Sequence, residues 1–153
     1  CFMQHNENDE ESLVLTRRWL HYATEDLVEA EAMVQRPQYV PRHACFFAQQ
    51  AAEKALKAVL VFLQIDIPRL HNLNALRNLI PPDWPLTQEH ADLTDLTQWA
   101  IEARYPGDLP PPTAEEAREA VRQARAVWNS VRRDLVGHGF MQEQEGDLPQ
   151  EAD

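Results

Sequence analysis

The chain has 153 residues, 44% of them apolar, and a formal net charge of −11 at pH 7. That length suits one domain with a real core and leaves too little for two. The 25 acidic residues outnumber 14 basic ones, which argues against DNA binding and against general nucleic-acid affinity, because phosphate contacts dominate both. The longest apolar run, 58–63, is far short of the roughly 18 residues of a membrane span. The opening Cys1-Phe2-Met3-Gln4 lacks the basic segment and apolar core of a signal peptide, so the expected location is cytoplasmic.

In chain order, acidic residues crowd 1–11 and read as a solvated tail. A first amphipathic helix is expected over 12–35, with Trp19, Ala23, Leu27, Ala30 and Val34 recurring every three or four residues until Pro37. A second starts after Pro41 and runs to about Gln64, with Cys45 as a buried thiol on its apolar side. A short helix over 73–80 is stopped by Pro81-Pro82. A fourth begins near Thr87, carries Leu93, Leu96, Trp99, Ala100 and Ala103 on one side, and ends at Tyr105-Pro106-Gly107. After a proline-rich loop, Thr113-Ala114-Glu115-Glu116 is a capping box opening the last helix. Its seam is Ala117, Ala120, Val121, Ala124, Val127, Trp128, Val131 and Leu135, and Gly137 is its expected C-cap. The expected architecture is all-α, an antiparallel up-and-down bundle of four to five helices over 12–136, followed by an acidic, mobile tail over 137–153.

The second helix holds the most informative pattern. At 100° per residue, Gln49, Gln50, Glu53, Lys54, Lys57 and Gln64 fall within an arc of about 140°, while Phe47, Ala51, Ala55, Val59 and Leu63 fill the rest. A helix so apolar elsewhere sits mid-bundle, and its polar arc must meet a groove, a partner or its own neighbours. In a groove, Lys54 and Lys57 would meet phosphates, Gln50 a base or sugar, Arg104 and Tyr105 would supply a guanidinium and a stacking ring, and His71 would close it. Under that reading Lys57 adds little to core packing. The competing reading pairs Glu53 with Lys57 one turn on and makes the stripe a tether between helices or protomers. The alanines beside the stripe permit close helix approach and point to a twofold dimer. No cofactor is expected, and His21, His43 and His90 are too isolated to suggest a metal site.

The run Gln-Gln-Ala-Ala-Glu-Lys-Ala-Leu-Lys-Ala over 49–58 resembles the most recognisable motif of HEPN domains. Other pieces agree in order and spacing: Trp19 with Asp26, Leu27 and Ala30; His71 with Leu73 and Leu76; and Ala103-Arg104-Tyr105-Pro106. The resemblance covers roughly 12–135. It implies a bundle of four or five helices, commonly a homodimer, with a nucleotide or RNA ligand and often a minimal nucleotidyltransferase as partner in a toxin–antitoxin pair.

Many HEPN proteins are metal-independent ribonucleases marked by an arginine, a polar residue directly after it, and a histidine separated from the arginine by four to six residues. Arg133-Asp134-Leu135-Val136-Gly137-His138 fits that pattern. The chemistry would suit it, with histidine moving the proton of a ribose 2′-hydroxyl and arginine stabilising the phosphorane. The spacing alone is weakly specific, since Arg36 to His43 and Arg132 to His138 also satisfy it. The plain alternative makes Arg132 and Arg133 cations at the carbonyl end of the last helix, with His138 beyond the helix and unfixed. Phe140 stands where nuclease members controlled by a nucleotidyltransferase often carry a modifiable tyrosine. Three roles follow as expectations: a nucleotide-binding or partner-binding module, an endoribonuclease using Arg133 and His138, or a structural dimer without ligand.

Overall fold

The computed structural model describes residues 2–100 and 110–141, with side chains from residue 9. Among the described residues six helices follow in order: α1 (Phe2–Gln35), α2 (Pro41–Phe62), α3 (Leu73–Arg77), α4 (Pro85–Glu89), α5 (Thr94–Thr97) and α6 (Ala114–Gly137). No strand occurs among the described residues. The all-α bundle is therefore as expected, with three long helices doing most of the packing and three short ones closing one side.

Helix α2 lies between α1 and α6. Six of its alanines, Ala44, Ala48, Ala51, Ala52, Ala55 and Ala58, are fully buried, as is Cys45. Small side chains let both neighbours approach closely, so this helix becomes the axis of the core. From α1 come Leu20, Ala23, Leu27 and Ala30, and from α6 come Ala117, Ala124, Val127, Val131 and Leu135. The α6 seam is as the heptad-like spacing predicts, with Trp128 half-buried. There the indole N–H of Trp128 donates to Thr24 Oγ1 at 3.1 Å. The capping box forms as read: Thr113 Oγ1 accepts from the Glu116 N–H, and Glu116 Oε1 from the Thr113 N–H, each at 3.1 Å.

Several boundaries differ from expectation for local reasons. Helix α1 begins at Phe2, ten residues before the expected start, because an acidic stretch without proline or glycine can continue a helix that packing has already nucleated. Helix α2 ends at Phe62 rather than near Gln64. Gln64 takes a left-handed φ of 57°, while its N–H donates to Val61 O and the Ile65 N–H to Leu60 O, the closure of a Schellman turn. The expected fourth helix is broken into α4 and α5. Arg77 Nη1 donates to the carbonyls of His90 and Ala91, Asn74 Oδ1 accepts the Leu93 N–H, and Asp92 Oδ1 accepts the Thr94 N–H. Side chains thus claim the backbone groups a continuous helix would use. Leu93, Leu96, Trp99 and Ala100 are nonetheless buried as predicted. The tail of that element, with Ala103, Arg104 and Tyr105, lies outside the described residues.

Helix α6 also stops differently. Its C-cap is His138, and the left-handed residue is Gly139 with a φ of 93°, not Gly137. The Gly139 N–H donates to Val136 O and the Phe140 N–H to Leu135 O, each at 3.0 Å. This second Schellman turn throws Phe140 back onto the bundle, 2% exposed. Packing therefore continues past 136, and His138 has a defined place.

Candidate functional site

The stripe on α2 is a closed network. Gln49 is fully buried and Glu53 only 3% exposed. Glu53 Oε2 accepts from Lys57 Nζ at 3.0 Å, and its Oε1 lies 2.9 Å from His71 Nδ1 and 3.2 Å from the Gln49 amide. Gln50 donates to Gln49 Oε1 at 2.7 Å. Lys54 reaches across to Asp26 of α1 at 2.5 Å, and Lys57 Nζ sits 5.5 Å from the ring centroid of Trp19. Gln64, off the helix, donates to Asp9 at 2.7 Å.

The structure thus joins Lys57 and His71 through one buried carboxylate and turns Lys54 towards α1. It ties α2 to α1 and to the segment before α3, the arrangement of the tethering reading. Lys57, whose side chain is 12% exposed, belongs to a buried ion pair with Glu53. Gln50, Lys54, Lys57 and His71 lie along one side of α2, while Arg104 and Tyr105 lie outside the described residues. Sequence reading named Asp26 only as a motif residue. Its position two turns from Trp19 on α1, opposite a lysine stripe, was the available clue to the pairing.

A second cluster forms where α6 ends against α4. Arg133 Nη1 and Nη2 bind Glu89 at 3.1 and 2.8 Å, while its Nε and Nη2 bind Asp134 Oδ1 at 3.0 and 2.9 Å. Asp134 is buried, and its Oδ2 accepts the Leu86 N–H at 2.8 Å. Ser130 Oγ donates to Glu89 Oε2 at 2.8 Å, so the His90 Nε2 found 2.9 Å from the same hydroxyl is the donor of that contact. Hydrogen bonds from Arg133 and Ser130 hold the Glu89 carboxyl below its ordinary value. The two carboxylates raise Arg133 further. Burial pushes His90 down, against the opposing pull of Glu89 and the Ala126 carbonyl.

His138 completes the cluster. Its Nδ1 lies 2.9 Å from the Asp134 carbonyl, and its ring stacks on Trp84 with centroids 3.9 Å apart and planes 9° apart. A carbonyl only accepts, so Nδ1 carries the proton and Nε2 is the basic nitrogen. Arg133 and His138 therefore converge on Asp134, one on its carboxylate and one on its carbonyl. Trp84, Glu89, His90 and Ser130 were not picked out as partners of this pair. The first three lie about 40 or more residues from it in sequence, and Ser130 is a small polar residue in an apolar seam, so no local pattern connects them. Among the described residues no group of three His, Cys, Asp or Glu side chains is arranged to hold a metal ion, and no helix is long and apolar enough to cross a membrane.

The family model described as HEPN domain matches residues 16–134. The chain belongs to the HEPN domain family. Two solved structures share the fold at appreciable identity. TT1696 from Thermus thermophilus is 29% identical with a TM-score of 0.63, covering 78% of this chain and 98% of its own. ST0689, described as an archaeal HEPN homologue, is 28% identical with a TM-score of 0.58, covering 78% of this chain and 97% of its own. Among curated proteins none matches. The stripe of this HEPN domain lies wholly within the matched residues. Arg133 lies just inside their end and His138 four residues beyond it.

Proposed function

We propose that this HEPN protein is a partner-binding module, working as a homodimer and with a minimal nucleotidyltransferase in a toxin–antitoxin pair. The observation that carries the reading is that the cations of the stripe are held by the chain's own carboxylates, Lys54 by Asp26 and Lys57 by Glu53. A nucleotide phosphate would compete with both carboxylates for these ammonium groups, whereas a protein partner can use apolar side chains of α1 and α2. Both helices carry apolar side chains with access to solvent: Phe46 and Phe47 of α2 are half-buried, and Leu15 and Tyr22 of α1 are 41% and 45% exposed. The test is co-expression with a nucleotidyltransferase encoded beside it, followed by light scattering. A stable complex and a dimer mass are expected. A monomer that ignores the transferase would refute the reading, and ATP or GTP binding lost in Lys57→Met would replace it with a nucleotide-binding one.

A second reading, a metal-independent endoribonuclease, is favoured by the convergence of Arg133 and His138 on Asp134. In it Nε2 of His138 takes the proton of a ribose 2′-hydroxyl, O2′ bonds to phosphorus, and the P–O5′ bond breaks. The departing 5′-oxygen takes a proton from water, leaving a 2′,3′-cyclic phosphate. Arg133 would meet the phosphorane by exchanging its exposed partner Glu89, an inexpensive step for a surface pair. RNA cleavage that persists in a chelator and vanishes in His138→Ala is the expected outcome. Cleavage surviving that substitution would refute it.

A further inference from the structure

We propose that Trp84 is a positioning residue for His138, an inference that rests on the ribonuclease reading of the α6 end. Two constraints act on the imidazole in different directions. The near-parallel stack on Trp84, 3.9 Å between centroids, fixes the plane of the ring. The contact between Nδ1 and the Asp134 carbonyl at 2.9 Å fixes its rotation within that plane and its tautomer. Neither is sufficient: a hydrogen bond alone leaves the ring free to swing about it, and a stack alone leaves it free to flip.

The wall that does the stacking is itself rigid. Trp84 is 2% exposed, and Phe62 from the end of α2 packs edge-on against it at 6.1 Å. Phe62 also meets Phe140 edge-on at 6.2 Å. The two aromatic contacts tie the wall to the turn that carries His138, so backbone and ring are held by one cluster. Trp84 also stands at the N-cap position of α4, the helix that supplies Glu89 to Arg133. A single residue thus spaces both members of the candidate pair. The consequence is a basic Nε2 presented in one direction before any substrate arrives, and misplacement by about 1 Å costs such a site up to about a hundredfold in rate.

The experiment uses the full chain, with nitrogen-15 spectra of the histidine rings at about pH 8 and steady-state cleavage of a single-stranded RNA. In the wild type, His138 should show the Nδ1–H tautomer. Trp84→Leu should give a mixture of tautomers and lower kcat roughly tenfold or more with KM within about twofold, and Trp84→Phe, which keeps a stacking face, should restore both. Far-UV circular dichroism checks that the variants fold. If Trp84→Leu does not fold, Trp84→Met, which keeps bulk without a flat face, takes its place with the same expected outcome. An Nε2–H tautomer in the wild type, or an unchanged tautomer and kcat in a folded Trp84→Leu, overturns the proposal. A wild-type chain that cleaves no RNA, yet loses its single tautomer in Trp84→Leu, removes the ribonuclease reading while the positioning role stands.

Discussion

Replacing Glu53 by alanine should cost this protein a large share of its stability. Glu53 is 3% exposed and is the common acceptor for Lys57, His71 and Gln49. Its removal leaves an ammonium group with little access to water and a fully buried amide short of a partner. Breaking a buried pair by deleting one member typically costs about 3–5 kcal/mol. Because Lys57 keeps 12% of its side-chain exposure, the lower end applies, about 3 kcal/mol, against total stabilities of roughly 5–15 kcal/mol for domains generally. With a urea m-value of about 2 kcal/mol/M, the midpoint should fall by about 1.5 M at unchanged m, and Tm by roughly 6–12 °C for a chain of this size. Replacing both partners with apolar residues, Glu53→Leu with Lys57→Met, should cost less than Glu53→Ala, because no charge is then stranded. Urea titration and thermal melting followed by circular dichroism measure both variants against wild type. A midpoint for Glu53→Ala within about 0.3 M of wild type would refute the claim that the stripe is a buried tether.

Acidification should weaken the fold in two stages. Burial holds His90 below its ordinary 6.5, so an unfolded chain takes up that proton first. The stability this provides is complete above about pH 6.5 and is lost as pH falls towards the depressed value. Glu89 and Asp92, both lowered by hydrogen bonds, extend the loss below about pH 4.5. Urea midpoints at pH 7.5 and 5.5 should differ more in wild type than in His90→Gln. Thr113→Ala removes the capping box and should cost about 1 kcal/mol by the same titration. Phe140→Ala empties a buried site against Phe62 and should cost about 3 kcal/mol. A neutral result there would mean that the turn after α6 does not pack on the bundle.

Much of this protein is legible from local pattern alone. The helical class, the α6 seam, its capping box and the burial of α2 follow from spacing that repeats every three or four residues, and from the cost of leaving apolar faces in water. The motif of α2 even announced a network, because amides and charges set into an alanine-rich helix need partners. Which partners they take is a tertiary matter. Asp26 meets Lys54 only because α1 lies antiparallel to α2, and His71 meets Glu53 only because the segment after α2 folds back along it. The break between α4 and α5 was hidden for the same reason: Arg77, Asn74 and Asp92 compete for backbone groups that propensity assigns to a helix. At the α6 end, sequence supplied an arginine and a histidine at a permissive spacing. The fold supplied Trp84, Glu89 and Ser130 as their surroundings, the stack on Trp84 set the plane of the imidazole, and a left-handed glycine two residues later than expected closed the turn that carries it. A spacing of five residues says only that the two side chains start within about a turn and a half of each other at the helix end. Only packing against distant segments decides which atoms they face.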